Sequence, residues 1–565
     1  MKSHTKIRRS TATILLAFAA ASTVHAVVTP AVPPVLLNWK TIADTCTTAL
    51  GPCPAASPIG RFNNFAPPVM PQYDGPLCAF KAWVQPGNNT AGLVITPAND
   101  EGVWSNGPDW AAGSFTGILT NVVREGDPVP SSLNTFGFAN ALSVQNLQMS
   151  AGGVTICENN TSVPAGKVGV MDNCCLQNLG ESPSSSLMDI RPPVIDLFNA
   201  NIGMWKRKVG GLSGVEHGAL PGYIMPPCIP PANNWRSGFA ATWATNQIPR
   251  VGSPSISESG WIALYGRDMI FPVASRNHIR VVDTVGTPTI IIRQNQVSPP
   301  VPVISPAGSR FGIIHTQLMA NTDYRNTSGI TSNLVAWQMD TMTAPGPTTI
   351  GLDSLWCKQG GIYNCLSYVS QPAVDIPGRT IASFYALHAI ANPFGTNSSW
   401  VVWGAQLNPV PGPVRVAIYG CLVTGGVMGP VNLIATDVPA ITPVLTPLSG
   451  PQNITTIARF FSVNARGDVL FKATCAGAPP ARRQVLVTAG AAAGHPLSVR
   501  AQSSMGLLSS GCGPVIINNF QLTTPDQGVY SRGQALNGLG MIAAKILYTT
   551  TVTPFTGGQG VYIGQ

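Results

Sequence analysis

Few side chains in this chain of 565 residues have both the type and the setting for chemistry. His217 follows Glu216 in the glycine-rich stretch from Gly210 to Gly218, and Tyr223 lies just beyond. A His base with a Tyr acid, beside an Arg or Asn that neutralises a substrate carboxylate, is the set a polysaccharide lyase needs. The same two residues serve equally well as hydrogen-bonding partners inside a loop. Trp104 and Trp110, six positions apart, have flat faces that could stack on sugar rings, or pack between layers of strands. Arg124, Glu125 and Asp127 form a polar triplet that could line a rim or hold an ion. Its structural reading is an Arg–carboxylate brace in which Asp127 caps the turn before Pro128. His315 falls in an apolar run and reads as a hydrogen-bonded strand residue.

Other chemistries are missing. The chain has no His-Glu-x-x-His, no Gly-x-Ser-x-Gly and no phosphate-cradling loop with a following Lys. Gly538, Gly540 and Ala543 spell a dinucleotide-like string, but too little chain follows for a βαβ unit. The acidic turn Asn99 to Gly102 lacks the alternating aspartates of a calcium loop. The sequence therefore assigns no metal and no cofactor.

The elements that would position these groups are strands. Charged residues are 10% of the chain, whereas soluble domains usually carry about 25%. Solvent-facing helices need Glu, Lys and Arg on their outer faces. Gly (58) and Pro (51) are abundant, and Val, Thr, Ser and Asn fill much of the rest. That is the composition of strands joined by many turns, an all-β protein.

The first 26 residues have the form of a secretory leader, with Lys2, Lys6, Arg8 and Arg9 before an apolar run and Val24-His25-Ala26 as the cleavage site. A chain exported in this way is secreted or periplasmic. No later apolar run reaches the ~20 residues of a membrane span, so residues 27–565 read as one domain without a transmembrane segment. Cleavage would leave 28 basic against 23 acidic residues. So mild an excess, with Lys206-Arg207-Lys208 as its one dense cluster, gives no stripe for nucleic acid. The even count of 12 cysteines in an exported chain predicts disulfide staples. Cys46/Cys53 and Cys357/Cys365 are close in sequence, Cys157 has Cys174 or Cys175 as partner, and Cys421/Cys475 is a further pairing.

A recurring frame organises the rest. Asn464-x-x-Gly467 lies between the apolar runs Phe461–Val463 and Val469–Phe471, and Asn537-x-x-Gly540 repeats the pattern before Ile542 and Ala543. Asn at the first turn position can bond back onto the turn, and Gly at the fourth accepts the left-handed conformation. Each frame then joins two antiparallel strands as a hairpin. Degenerate copies begin at Ser150, Ser257, Ser305 and Asn397, the last with Trp400 where Gly is expected. A second element, a strand with a polar turn, is clearest at Asn121–Asp127 and fainter at Ile290–Arg293, Val431–Asp437 and Val485–Gly490.

These motifs make the chain resemble bacterial secreted proteins with tandem NxxGxxAF repeats, in which a segment similar to REGDPAPG precedes each hairpin. The matching residues are Arg124–Pro128, Asn464/Gly467/Phe471, Asn537/Gly540/Ala543 and Ser257/Gly260/Ala263. Ala544 in place of the final Phe, Leu470 in place of Ala, and Trp400 in place of Gly depart from the pattern. The resemblance implies a propeller-like fold and brings no established activity.

The expectation is a β-propeller of about six to eight four-stranded blades stapled by disulfides, with a β-sandwich of the same hairpins as the alternative. Val35–Trp39 is the candidate strand that closes the ring. The expected function is a binding or structural module for a surface polymer, glycan or protein partner. An extracellular polysaccharide lyase or glycoside hydrolase is the rival.

Overall fold

A computed structural model describes the chain between residues 38 and 565, without the stretches 125–134, 163–199, 215–234, 238–254 and 523–534 and a series of shorter loops. Among the described residues the protein is all-β, its one helical piece being the single 3-10 turn Pro480–Arg482. The strands form seven antiparallel sheets of four or five strands, plus two small two-stranded ribbons.

The first six sheets each use a contiguous piece of chain, the first lying within residues 48–124, the second within 135–214 and the third within 235–293. The fourth consists of Arg310–Arg325, Thr331–Met342, Ile350–Gln359 and Ile362–Tyr368 in that order. The fifth is built on Ile381–Ala391, Ser398–Leu407 and Arg415–Thr424, and the sixth on Gln452–Val463, Asp468–Cys475 and Gln484–Gly490. The seventh combines Gly506–Ser509, Gly513–Gln521, Ile542–Thr550 and Gly557–Gly564 with a strand from the other end of the chain, Lys40–Asp44. That strand pairs antiparallel with Gly557–Gly564, Lys40 opposite Ile563 and Asp44 opposite Gly560. The strand that pairs with Gly557–Gly564 thus begins just after the segment Val35–Trp39 expected from sequence. Trp39 instead stays buried and packs against Gly564.

The core is divided among the gaps between sheets. Alternate residues along a strand point to opposite faces, so Val401 and Trp403 face the fourth sheet while Val402 faces the sixth. Both faces of these sheets are covered, which is why Ser398–Leu407 is buried along nearly its whole length instead of alternating. Similar apolar layers join the third sheet to the fourth, the sixth to the seventh and the seventh to the first. Contacts between strands run from each sheet to the next, and Pro58–Phe65 of the first sheet touches Gly557–Gly564 of the seventh. Many thin cores replace the single large one that a chain of this length cannot sustain.

The cysteines differ from expectation. Cys78, Cys357, Cys365, Cys421 and Cys475 are free thiols, and Cys512 is disulfide-bonded. In the hairpin register Cys357 is opposite Asn364, and Cys365 is opposite Trp356. The two thiols therefore point from opposite faces of one sheet, Cys357 toward the fifth sheet and Cys365 toward the third. Cys421 and Cys475 are likewise buried in separate layers. Nearness in sequence does not bring two sulfurs to one face. Cys46, Cys53, Cys157, Cys174 and Cys175 lie outside the described residues or have undescribed side chains.

Candidate functional site

The repeat frames prove to be joints between sheets. The Asn464 side-chain oxygen accepts the backbone N–H groups of Arg466 (3.0 Å) and Asp468 (2.8 Å), closing the turn on itself. Asn537 repeats this with Leu539 (3.0 Å) and Met541 (2.9 Å). Both asparagines are fully buried. The Asn464 amide then donates to the Asn537 carbonyl at 3.0 Å, from the sixth sheet to the seventh. Ser462 Oγ accepts the N–H groups of Ala535 (2.9 Å) and Leu536 (3.1 Å) across the same boundary. These residues are spent on construction.

Two degenerate copies have other roles than the sequence reading gave them. Trp400 is inside the strand Ser398–Leu407 and packs on Gly467 of the next sheet, so it does not replace a turn glycine. The hairpin turn of the fifth sheet falls between Ala391 and Ser398, where Asn392 and Gly395 keep the spacing. The Ser305 frame leads from the third sheet into the fourth; the hairpin within the fourth joins Arg325 to Thr331 and spans Asn326 and Gly329.

Of the residues proposed from sequence, His217, Tyr223, Trp110 and Asp127 lie outside the described residues. Trp104 is fully buried in the strand Glu101–Ser105, edge-on to Phe62 with ring centroids 5.2 Å apart, so no face of its indole is open to a sugar. Arg124 ends the strand Thr120–Arg124 opposite Gly102 and is half-buried. In the acidic turn, Glu101 forms an ion pair with buried Lys81 and accepts the Trp83 indole N–H at 2.9 Å. Its carboxylate is committed to that brace.

One constellation escaped the sequence reading. Pairing in the fourth sheet sets His315 opposite Gln338 and Asp340 opposite Asp353. Gln338 and Asp340 are two apart on one strand and share a face, so all four side chains emerge together. His315 Nε2 lies 3.2 Å from Asp340 Oδ1 and 3.9 Å from Asp353 Oδ1. Gln338 donates its amide to Asp353 Oδ2 at 2.7 Å, which fixes the carboxylate and aims its other oxygen at the imidazole. Asp353 Oδ1 is shielded from solvent and receives no well-aligned hydrogen bond, the Ser354 backbone and Gln338 being the carboxylate's donors.

The electrostatics follow from this crowding. Hydrogen bonding to Asp340 holds the His315 imidazole above its ordinary range; burial opposes this and the charge of Asp353 adds to it. Burial raises the Asp353 carboxyl, with His315 acting against it and Asp340 reinforcing it. The His315 side chain keeps 37% of its surface, so the group is open on one side. No sequence signal reveals it, because three separate strands contribute and only their register brings them together. His315 does make the strand hydrogen bond expected of it, but to one of two converging carboxylates.

No family model matches the chain, and no curated protein matches it. Among solved structures it is similar to an α-L-arabinofuranosidase, Arb93A, of Fusarium graminearum at 8% identity, covering 55% of this chain and 91% of that one, with a TM-score of 0.21. A subtype N11 neuraminidase-like protein of A/flat-faced bat/Peru (H18N11) matches at 10% identity over 61% of this chain and 96% of its own, with a TM-score of 0.22. A puromycin-hydrolysing peptidase of Mycobacterium tuberculosis matches at 10% identity, covering 89% and 61%, with a TM-score of 0.26. Likenesses this loose carry no activity over to this chain.

Proposed function

We propose that the protein is a secreted β-propeller, its seven sheets serving as blades, that works as a binding or structural module and not as a catalyst. The observation that carries this reading is the pairing of Lys40–Asp44 with Gly557–Gly564, which joins the two ends of the described chain in one sheet. A ring closed in this way protects its sheet edges and holds its loops on a stiff frame. Among the described residues the three histidines lie in three different sheets, and of the sugar-stacking candidates Trp104 is buried. His278 is buried in the third sheet, His388 is buried and packed on Phe461, and His315 stands beside Asp340 and Asp353. A catalyst would gather its base, acid and charge-neutralising groups in one cleft.

The partner in this reading is a surface polymer, a glycan or a second secreted protein. The test is a glycan array combined with polysaccharide-cleavage assays on the protein beginning at residue 27. Saturable binding with polymer length unchanged is the expected outcome. Shortening of any polymer would overturn the proposal in favour of a lyase or hydrolase, and the undescribed His217 and Tyr223 would be its first suspects.

A further inference from the structure

Two aspartates directly opposite each other on adjacent strands repel, and sheets normally avoid that arrangement. Asp340 and Asp353 nevertheless occupy such a pair in the fourth sheet. Their charge is met by one imidazole, His315, whose Nε2 faces an oxygen of each. One nitrogen and two carboxylate oxygens from the three residues lie within 4.8 Å of one another. The ligands of a divalent ion bound at ~2.1 Å stand roughly 3–3.5 Å apart. The His315–Asp340 separation of 3.2 Å already meets this, and the 3.9 Å to Asp353 needs only a small side-chain rotation.

We propose that His315, Asp340 and Asp353 form a binding site for a divalent transition-metal ion of the Mn²⁺ or Zn²⁺ type. Three further observations point the same way. Asp353 Oδ1 is hidden from solvent without a well-aligned hydrogen-bond donor, as a waiting ligand atom would be. Gln338 holds the other oxygen of that carboxylate at 2.7 Å, the outer support that orients metal ligands. The imidazole excludes a purely calcium-like preference, because hard ions of that kind take oxygen ligands. Three protein ligands and an exposed side leave coordination positions open to water or to a ligand's oxygen. The site is independent of the polymer-binding reading and stands or falls separately.

The test is isothermal titration of the chain from residue 27 with MnCl₂ and with ZnCl₂, alongside Asp353→Asn, Asp340→Asn and Asp375→Asn. Asp353→Asn keeps an acceptor for Gln338, and Asp375 is exposed and remote in sequence, a control. One saturable site is expected, weakened at least ~10-fold by either ligand substitution and unchanged in Asp375→Asn. Circular dichroism and thermal melting without metal confirm that each variant is folded. Absence of saturable binding up to millimolar metal would refute the proposal. Equal binding by folded Asp353→Asn and Asp340→Asn proteins would refute it as well.

Discussion

Gly467 has no room for a side chain. Its φ of +81° is in the left-handed region, and an added Cβ would sit 2.6 Å from the Trp400 ring. Gly467→Ala combines backbone strain with overpacking, and an expected loss of about 2–4 kcal/mol should appear in chemical denaturation. A loss under about 0.5 kcal/mol would show that the Trp400 contact yields freely. Asp437 offers a second residue-level test. Its carboxylate accepts the Val416 N–H at 2.9 Å, yet burial holds the acid above its usual range, against Arg415 and Arg379. A carboxyl raised on folding favours the protonated state, so its contribution to stability is complete below the unfolded value near ~4 and fades as pH rises through the folded value. Asp437→Asn, which keeps an acceptor, should gain thermal stability relative to the parent as pH rises from 4 to 7. Calorimetry at both pH values measures this, and the opposite trend would contradict the assignment.

Among the elements, the strand Lys40–Asp44 has the largest consequences for its length. It brings Trp39 against Gly564 and places Ala43 in the layer shared by the seventh and first sheets. Deleting residues 38–44 uncovers Gly557–Gly564 along one edge and removes a buried tryptophan, worth about 3–5 kcal/mol by itself. The expected result is a lower melting temperature and loss of a single cooperative transition in calorimetry. An unchanged melt would mean that closure contributes nothing. The hairpin elements were largely legible beforehand. The Asn464 and Ser257 frames fall between paired strands, and the Asn537 frame is closed by the Leu536–Ile542 bridge, because turn chemistry is local and Asn and Gly encode it directly. The Asn397 copy was misplaced because a tryptophan in a strand resembles an eroded turn when its neighbour across the gap, Gly467, is unknown.

At the scale of the molecule, the described strands form seven sheets, and the fifth of them is buried on both faces. A strand covered on both faces has little room for charge, in keeping with a chain in which charged residues are 10%. Under the proposed function the molecule presents a stiff surface, which the array and cleavage assays address directly. The sequence by itself determined the all-β class and the hairpin turns, since backbone conformation at Asn and Gly depends on nearby atoms. It also pointed to Val35–Trp39 as a strand pairing with the last sheet, whereas the paired strand is Lys40–Asp44. Tertiary structure alone decided which thiols share a face, why Gly467 must lack a side chain, and that His315 meets Asp340 and Asp353. Those facts depend on strand register and on packing between sheets. A shift of one residue in register turns every side chain to the opposite face, and a single strand's sequence carries no record of its partner's alignment.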